Sequence, residues 1–151
     1  MKILGIRTAP QQIRFAIVEF DGVDCQLLNK NSENALKKPA AITTNEAHIK
    51  WVKDELSRIF RQNPDVSKVA LKVSEFAGSK NASSRLGDYL DAMVLLTAIE
   101  AEKPIVTKLY NQMATKRSEV KEHSENRVGR TNTNWDHQMA DAVAVAWIAR
   151  K

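Results

Sequence analysis

The chain contains a single cysteine, Cys25, so it cannot close an internal disulfide. The apolar, strand-like neighbours of Cys25 mark it as a small core residue rather than a reactive thiol, and a reducing compartment fits. No apolar run approaches the ~20 residues that a membrane-crossing helix needs. A charged-then-apolar leader is also missing, so a soluble, untargeted, cytoplasmic protein is expected. No segment repeats another. What is present is 151 residues, 43% of them hydrophobic, enough for one real core. One domain over 1–151 is the expectation. The formal charge of +5 permits a polyanionic partner, DNA or RNA, but does not require one.

The first ten residues read as a short apolar strand, Ile3, Leu4 and Ile6, closed by Pro10. Phe15, Ile17, Val18 and Phe20 form a second strand, and Asp21-Gly22 is a hairpin turn into a third at Val23 to Leu28. Asn29 to Ala41 is polar and aperiodic, which predicts a loop. Thr43-Thr-Asn-Glu46 has capping-box spacing, and Ile49, Val52, Leu56, Ile59 and Phe60 follow at helical period, so a helix is predicted over about 45–61. Val69 to Val73 reads as a strand parallel to the first, which delivers Lys72 and Glu75 to the sheet edge where Arg7 emerges.

The small-residue loop 77–84 leads into a helix with Leu86, Tyr89, Leu90, Met93, Val94, Leu95, Leu96 and Ile99, apolar over most of its circumference. Such a helix is expected to pack centrally between the sheet and another layer. Pro104 to Tyr110 reads as a further strand. Residues 111–134 are polar, with Lys116, Arg117, Lys121, Arg127 and Arg130 interleaved with glutamates; the pattern suits either a solvated helix with a mobile loop or a nucleic-acid-contacting arm. Trp135 to Ala149 is an alanine-rich helix with Asp136 or Asn134 as its N-cap.

Lys2-Ile-Leu-Gly-Ile6, the helix over 81–98 and Ala140-Asp-Ala-Val-Ala-Val-Ala146 together resemble the ribonuclease H-like superfamily, and within it the RuvC-type Holliday-junction resolvases. The resemblance implies a mixed sheet with an N-terminal antiparallel meander, parallel strands and helices on both faces. It also implies an aspartate ending the first strand, a glutamate on the Val69 strand, and an aspartate on the last helix with an acidic residue or histidine one turn earlier. Those carboxylates hold two Mg²⁺ ions for phosphodiester cleavage.

This sequence departs from that set. The aspartate position is Arg7, the glutamate position is Lys72, and Gln138 stands one turn before the matching Asp141. Two fixed cations would repel Mg²⁺ rather than bind it, so a non-catalytic, nucleic-acid-binding pseudo-nuclease without a metal cofactor is expected, with Arg7, Lys72, Lys80, Lys116 and Arg117 as phosphate contacts. The competing reading of Arg7 and Lys72 is a purely structural ion-pair network with Asp141. Two other classes stay open. One is an active Mg²⁺- or Mn²⁺-dependent nuclease with a relocated site around Glu75, His137 and Asp141, with Asp136 beside them. The other is an interaction module or homodimer that uses the apolar helix at Leu86 to Ile99.

Overall fold

A computed structural model describes residues 1–151. The elements, in order, are β1 (Lys2–Thr8), β2 (Gln12–Asp21), β3 (Asp24–Leu27), β4 (Ala35–Lys37), α1 (Asn45–Gln62), β5 (Lys68–Lys72), α2 (Ala82–Glu100), β6 (Ile105–Lys108), a 3₁₀ turn at Tyr110–Gln112, α3 (Val120–Arg127) and α4 (His137–Ile148). The sheet runs β3-β2-β1-β5-β6, with β4 on the same edge of β2 as β3. The β1–β2 and β2–β3 pairs are antiparallel, whereas β1–β5 and β5–β6 are parallel. This is the mixed sheet and meander that the sequence led us to expect.

Alternation along the strands builds two layers of core. Leu4, Ile6, Ile13, Phe15, Val69 and Leu71 point to α1 and α2, against Val52, Leu56, Ile59, Leu90 and Val94. Ile3, Ala16, Val18 and Ala70 point the other way, against the alanines and valines of α4. On this second face Gly5 permits the close approach. A Cβ there would lie 1.9 Å from the Ala142 carbonyl oxygen and 3.0 Å from the Ala146 Cβ. The helix therefore rests on the strand backbone, and Asp141, beside Ala142, comes within bonding reach of the strand end.

Four expectations need correction. The predicted loop 29–41 contains β4, held to β2 through Gln12↔Lys37 and Arg14↔Ala35; three residues are too few to show a period. The cap of α1 is one residue later than the box spacing suggests. The Thr44 side chain accepts from the Ala47 N–H, leaving Glu46 at the second helical position with no reciprocal bond. The second helix is not apolar on all sides in use: α2 buries Leu90, Val94 and Ala98 against the sheet and α1 but leaves Tyr89, Leu96 and Ile99 exposed, so it lies beside α1 on one face of the sheet with no further layer over it. Within the polar 111–134 stretch, the helix α3 is not solvated all round: it buries Val120 and Ser124, and the Ser124 hydroxyl donates to the Ala140 carbonyl at 2.8 Å. No helix is long and apolar enough to cross a membrane.

A candidate nucleic-acid interface at the end of the sheet

Strand register places four cations in one row. Arg7 is paired with Arg14 on β2 and with Lys72 on β5, and Lys72 is paired with Lys108 on β6. Partners at the same level of a sheet face the same side, here the side of α4. Like charges so close would repel unless each met an anion. Three of them do.

Arg7 Nε donates to Asp141 Oδ2 at 3.0 Å, and its Nη1 donates to the Thr8 carbonyl at 2.7 Å. Tyr110 donates its hydroxyl to the other carboxylate oxygen, Oδ1, at 2.7 Å. Asp141 is 0% exposed, and both its oxygens are engaged. Burial raises its pKa, opposed by the Tyr110 hydroxyl and the charges of Arg7 and Lys72. The Tyr110 phenol is pushed far above its ordinary value, first by burial and then by its bond to Asp141.

Lys72 is also 0% exposed. Its ammonium donates to the Val73 carbonyl at 2.7 Å, sits 3.1 Å from Glu75 Oε1 and lies 4.1 Å from the centre of the Tyr110 ring. Burial lowers its pKa, against the pull of Glu75. Glu75 comes round to this face because β5 ends at Lys72 and the chain leaves extended geometry before residue 75. Its Oε1 also accepts the Tyr110 N–H at 2.8 Å. Arg14 Nη2 donates to Asp136 Oδ2 at 2.9 Å, while Asp136 caps α4 by accepting the Met139 N–H. Arg14 Nε and Nη1 are buried without a partner. Lys108 has no ion-pair partner.

The five proposed phosphate contacts therefore separate. Lys72 is enclosed and cannot reach a phosphate; this corrects its assignment as a surface contact, because its ammonium fills the interior position between Glu75 and the Tyr110 ring. Arg7 keeps its side chain 18% exposed but is committed to Asp141. Lys80 is highly exposed and 3.6 Å from Asp88, on a groove of about 710 Å³ between α2 and the loop after β5, apart from the cation row. Lys116 and Arg117 join Ser118 and His137 around a cleft of about 550 Å³ with no acidic residue in its wall. Arg117 has no ion-pair partner, and Lys116 has only the exposed Glu119 at 3.2 Å. Burial, and then the Arg117 charge, lower the His137 pKa against the pull of Asp141 and Asp136. Gln138 is half-buried at the start of α4.

The donor set does not fit a divalent cation. No group of three or more His, Cys, Asp or Glu side chains gathers in a way that could hold a metal. Glu75, His137 and Asp141, the alternative metal set, are therefore not brought together. Each of the three carboxylates along the row is already paired: Asp141 with Arg7 and the Tyr110 hydroxyl, Glu75 with Lys72 and the Tyr110 N–H, and Asp136 with Arg14.

Sequence reasoning missed Arg14, Lys108, Tyr110 and Asp91. Asp91 is buried, accepts the Thr8 hydroxyl at 2.5 Å and the Ser74 N–H at 3.0 Å, and ties α2 to the ends of β1 and β5. Burial raises its pKa. The signal for Arg14 and Lys108 was in the strands: each occupies the parity of the α4-facing residues Ala16 and Val106.

No family model matches the sequence, and no curated protein matches it. Solved structures do match the fold. RuvC of Thermus thermophilus in complex with a Holliday junction substrate is 19% identical, with a TM-score of 0.79 over 98% of this chain and 92% of that one. The yeast mitochondrial Holliday junction resolvase gives 13% identity and a TM-score of 0.59, covering 98% and 79%. The fowlpox virus resolvase, in complex with Holliday junction DNA, gives 10% and 0.54, covering 99% and 98%. At these identities the likeness concerns architecture: the chain has the ribonuclease H-like fold of RuvC and other Holliday-junction resolvases.

Proposed function

We propose that this protein is a RuvC-like pseudo-nuclease that binds nucleic acid without cutting it. The observation that carries this reading is the closure of Asp141, whose two oxygens are held by Arg7 and Tyr110 at the strand end where the resemblance expects metal ligands. Each oxygen of this buried carboxylate already accepts a hydrogen bond, and the two cations beside it oppose the approach of another cation. DNA is the favoured partner, because two of the structures similar in fold hold Holliday junction DNA.

On this reading Arg7 and Lys72 act as internal counter-ions, and binding falls to the cations that remain free. Lys116 and Arg117, in the cleft beside His137, supply the principal phosphate contacts; Lys80 and Lys108 add charge along the same end of the sheet. The test is affinity for a four-way junction against salt. Arg117→Ala and Lys116→Ala should each weaken binding at low salt and reduce the salt slope by about one. Unchanged slopes in both would remove the cleft from the interface.

A second reading rests on one feature. Tyr89, Leu96 and Ile99 lie exposed along one side of α2, a surface suited to a second copy of the chain. A mass measurement at high protein concentration decides it: a homodimer that Leu96→Asp dissociates would support this surface, and a strict monomer would discard it.

A further inference from the structure

The sheet ends at β6, whose outer side pairs with no other strand. On its inner side the Val69 N–H donates to the Pro104 carbonyl and the Val73 N–H to the Lys108 carbonyl. Alternation along the strand therefore turns residues 104, 106 and 108 toward β5, and it leaves Ile105 and Thr107 with their N–H and C=O groups directed outward. Neither residue finds a partner for those groups elsewhere in the protein. Thr107 is exposed, so this edge is open.

The two faces of the edge offer different contacts. On the side where Ile105 packs toward α2, Thr107 and Leu109 line the groove of about 710 Å³. Val73, Leu95 and Leu109 give that groove an apolar wall, and Phe76, 91% exposed, extends it. Its charged residues are Glu75, Asp88 and Asp91 against Lys80, three acids to one base, which disfavours an acidic side chain there. On the α4 side stands Lys108. Arg7, Arg14 and Lys72 each meet a carboxylate within the protein, whereas Lys108, the last cation of the row, meets none. The place for its counter-ion, level with it on a neighbouring strand, lies beyond the edge.

We propose that β6 takes an added strand: an extended segment of a partner protein, in which apolar residues directed into the groove alternate with an acidic residue beside Lys108. Main-chain bonds to Ile105 and Thr107 set the register, and the alternation of a strand puts the two kinds of side chain on opposite faces. A sugar-phosphate backbone could neutralise Lys108 but offers no N–H donor to the two outward carbonyls, so a peptide fits this edge better.

The experiment is an NMR titration of the whole chain with a short capped peptide alternating leucine and aspartate, with the same peptide carrying serine in place of aspartate, and with a short single-stranded oligonucleotide. The acidic peptide should shift the Ile105 and Thr107 amides and the Leu95 and Leu109 methyl groups. It should bind about 2- to 5-fold more tightly than the serine peptide, the worth of one cross-strand ion pair, and Lys108→Ala should make the two equal. Thr107→Pro removes an outward N–H while sparing the bonds to β5, where an edge strand accepts proline, and should abolish the shifts. If that variant does not fold, Lys108→Ala decides alone. Equal affinity of the two peptides for the unaltered protein would overturn the acidic partner, and no shift from either would overturn the added strand. Shifts of the Ile105 and Thr107 amides by the oligonucleotide but by neither peptide would give the edge to nucleic acid and overturn the inference. Broadening of those amides with protein concentration alone would give it to a second copy of the chain, and overturn it too.

Discussion

The two faces of this sheet are made by the same strands and packed on different terms. Toward α1 and α2 the strands send Leu4, Ile6, Phe15 and Leu71, bulky side chains that interlock and keep the helices at side-chain distance. Toward α4 they send Ile3, Gly5, Ala16 and Ala70, and the helix replies with alanines, so backbone meets backbone. Bulk on one side needs no charge to hold it. Close approach on the other brings Asp141 to Arg7 and Asp136 to Arg14, and turns the strand ends into a buried ion-pair network. Such networks add little net stability over an apolar equivalent but punish the loss of one partner. The apolar face is thus a matter of volume, and the α4 face a matter of charge balance.

Substitutions on each face put that contrast to the test. The largest effect is expected from Arg7→Ala, which strands a fully buried carboxylate and should cost about 3–5 kcal/mol by chemical denaturation. Adding Asp141→Asn to Arg7→Met should recover most of that loss, because the amide keeps an acceptor for Tyr110 while the charge is gone. On the other face Leu4→Ala should cost about 2–5 kcal/mol, and no polar partner change should rescue it.

Next in size is Gly5→Ala. Its Cβ would meet a backbone oxygen that cannot rotate away, and overpacking should cost about 1–3 kcal/mol or more, seen as a lower denaturation midpoint. A smaller effect concerns pH. Burial works to raise the pKa of Glu75, but the Tyr110 N–H and Lys72 outweigh it and hold the group below its ordinary value. The stability it contributes is complete above the unfolded value and is lost as pH falls through the folded one. Glu75→Gln should flatten the acid side of the melting-temperature profile in that window. The smallest effect is expected from Lys50→Ala: its ion pair with Asp54 is exposed on α1, and the melting temperature should not move.

Much of the architecture was legible in the sequence because its signals are local. The period of α1 from Ile49 to Phe60, the Asp21-Gly22 turn and the order of the first strand, the Val69 strand and the last helix suffice for the fold. The site was legible only in part. Arg7, Lys72 and Asp141 can be aligned along the chain, but whether a lysine at a strand end reaches solvent depends on register and on what lies above it. Tyr110 lies above Lys72 and belongs to a 3₁₀ turn that no periodicity announces. Arg14 and Lys108 join the row only through pairing between strands, a long-range fact that composition cannot supply. Glu75 shows the converse: strict alternation puts it on the wrong face, and the end of β5 at Lys72 returns it.

As a proposed pseudo-nuclease, the protein binds nucleic acid through its free cations and needs no metal to do so. The most direct test is a titration of the protein with four-way-junction, duplex and single-stranded DNA and RNA, with Mg²⁺ and with a chelator, followed by analysis of strand integrity. Salt-sensitive binding that is equal in both conditions, with every strand intact, is the predicted result. Binding that requires Mg²⁺, or strands cut only in its presence, would contradict it.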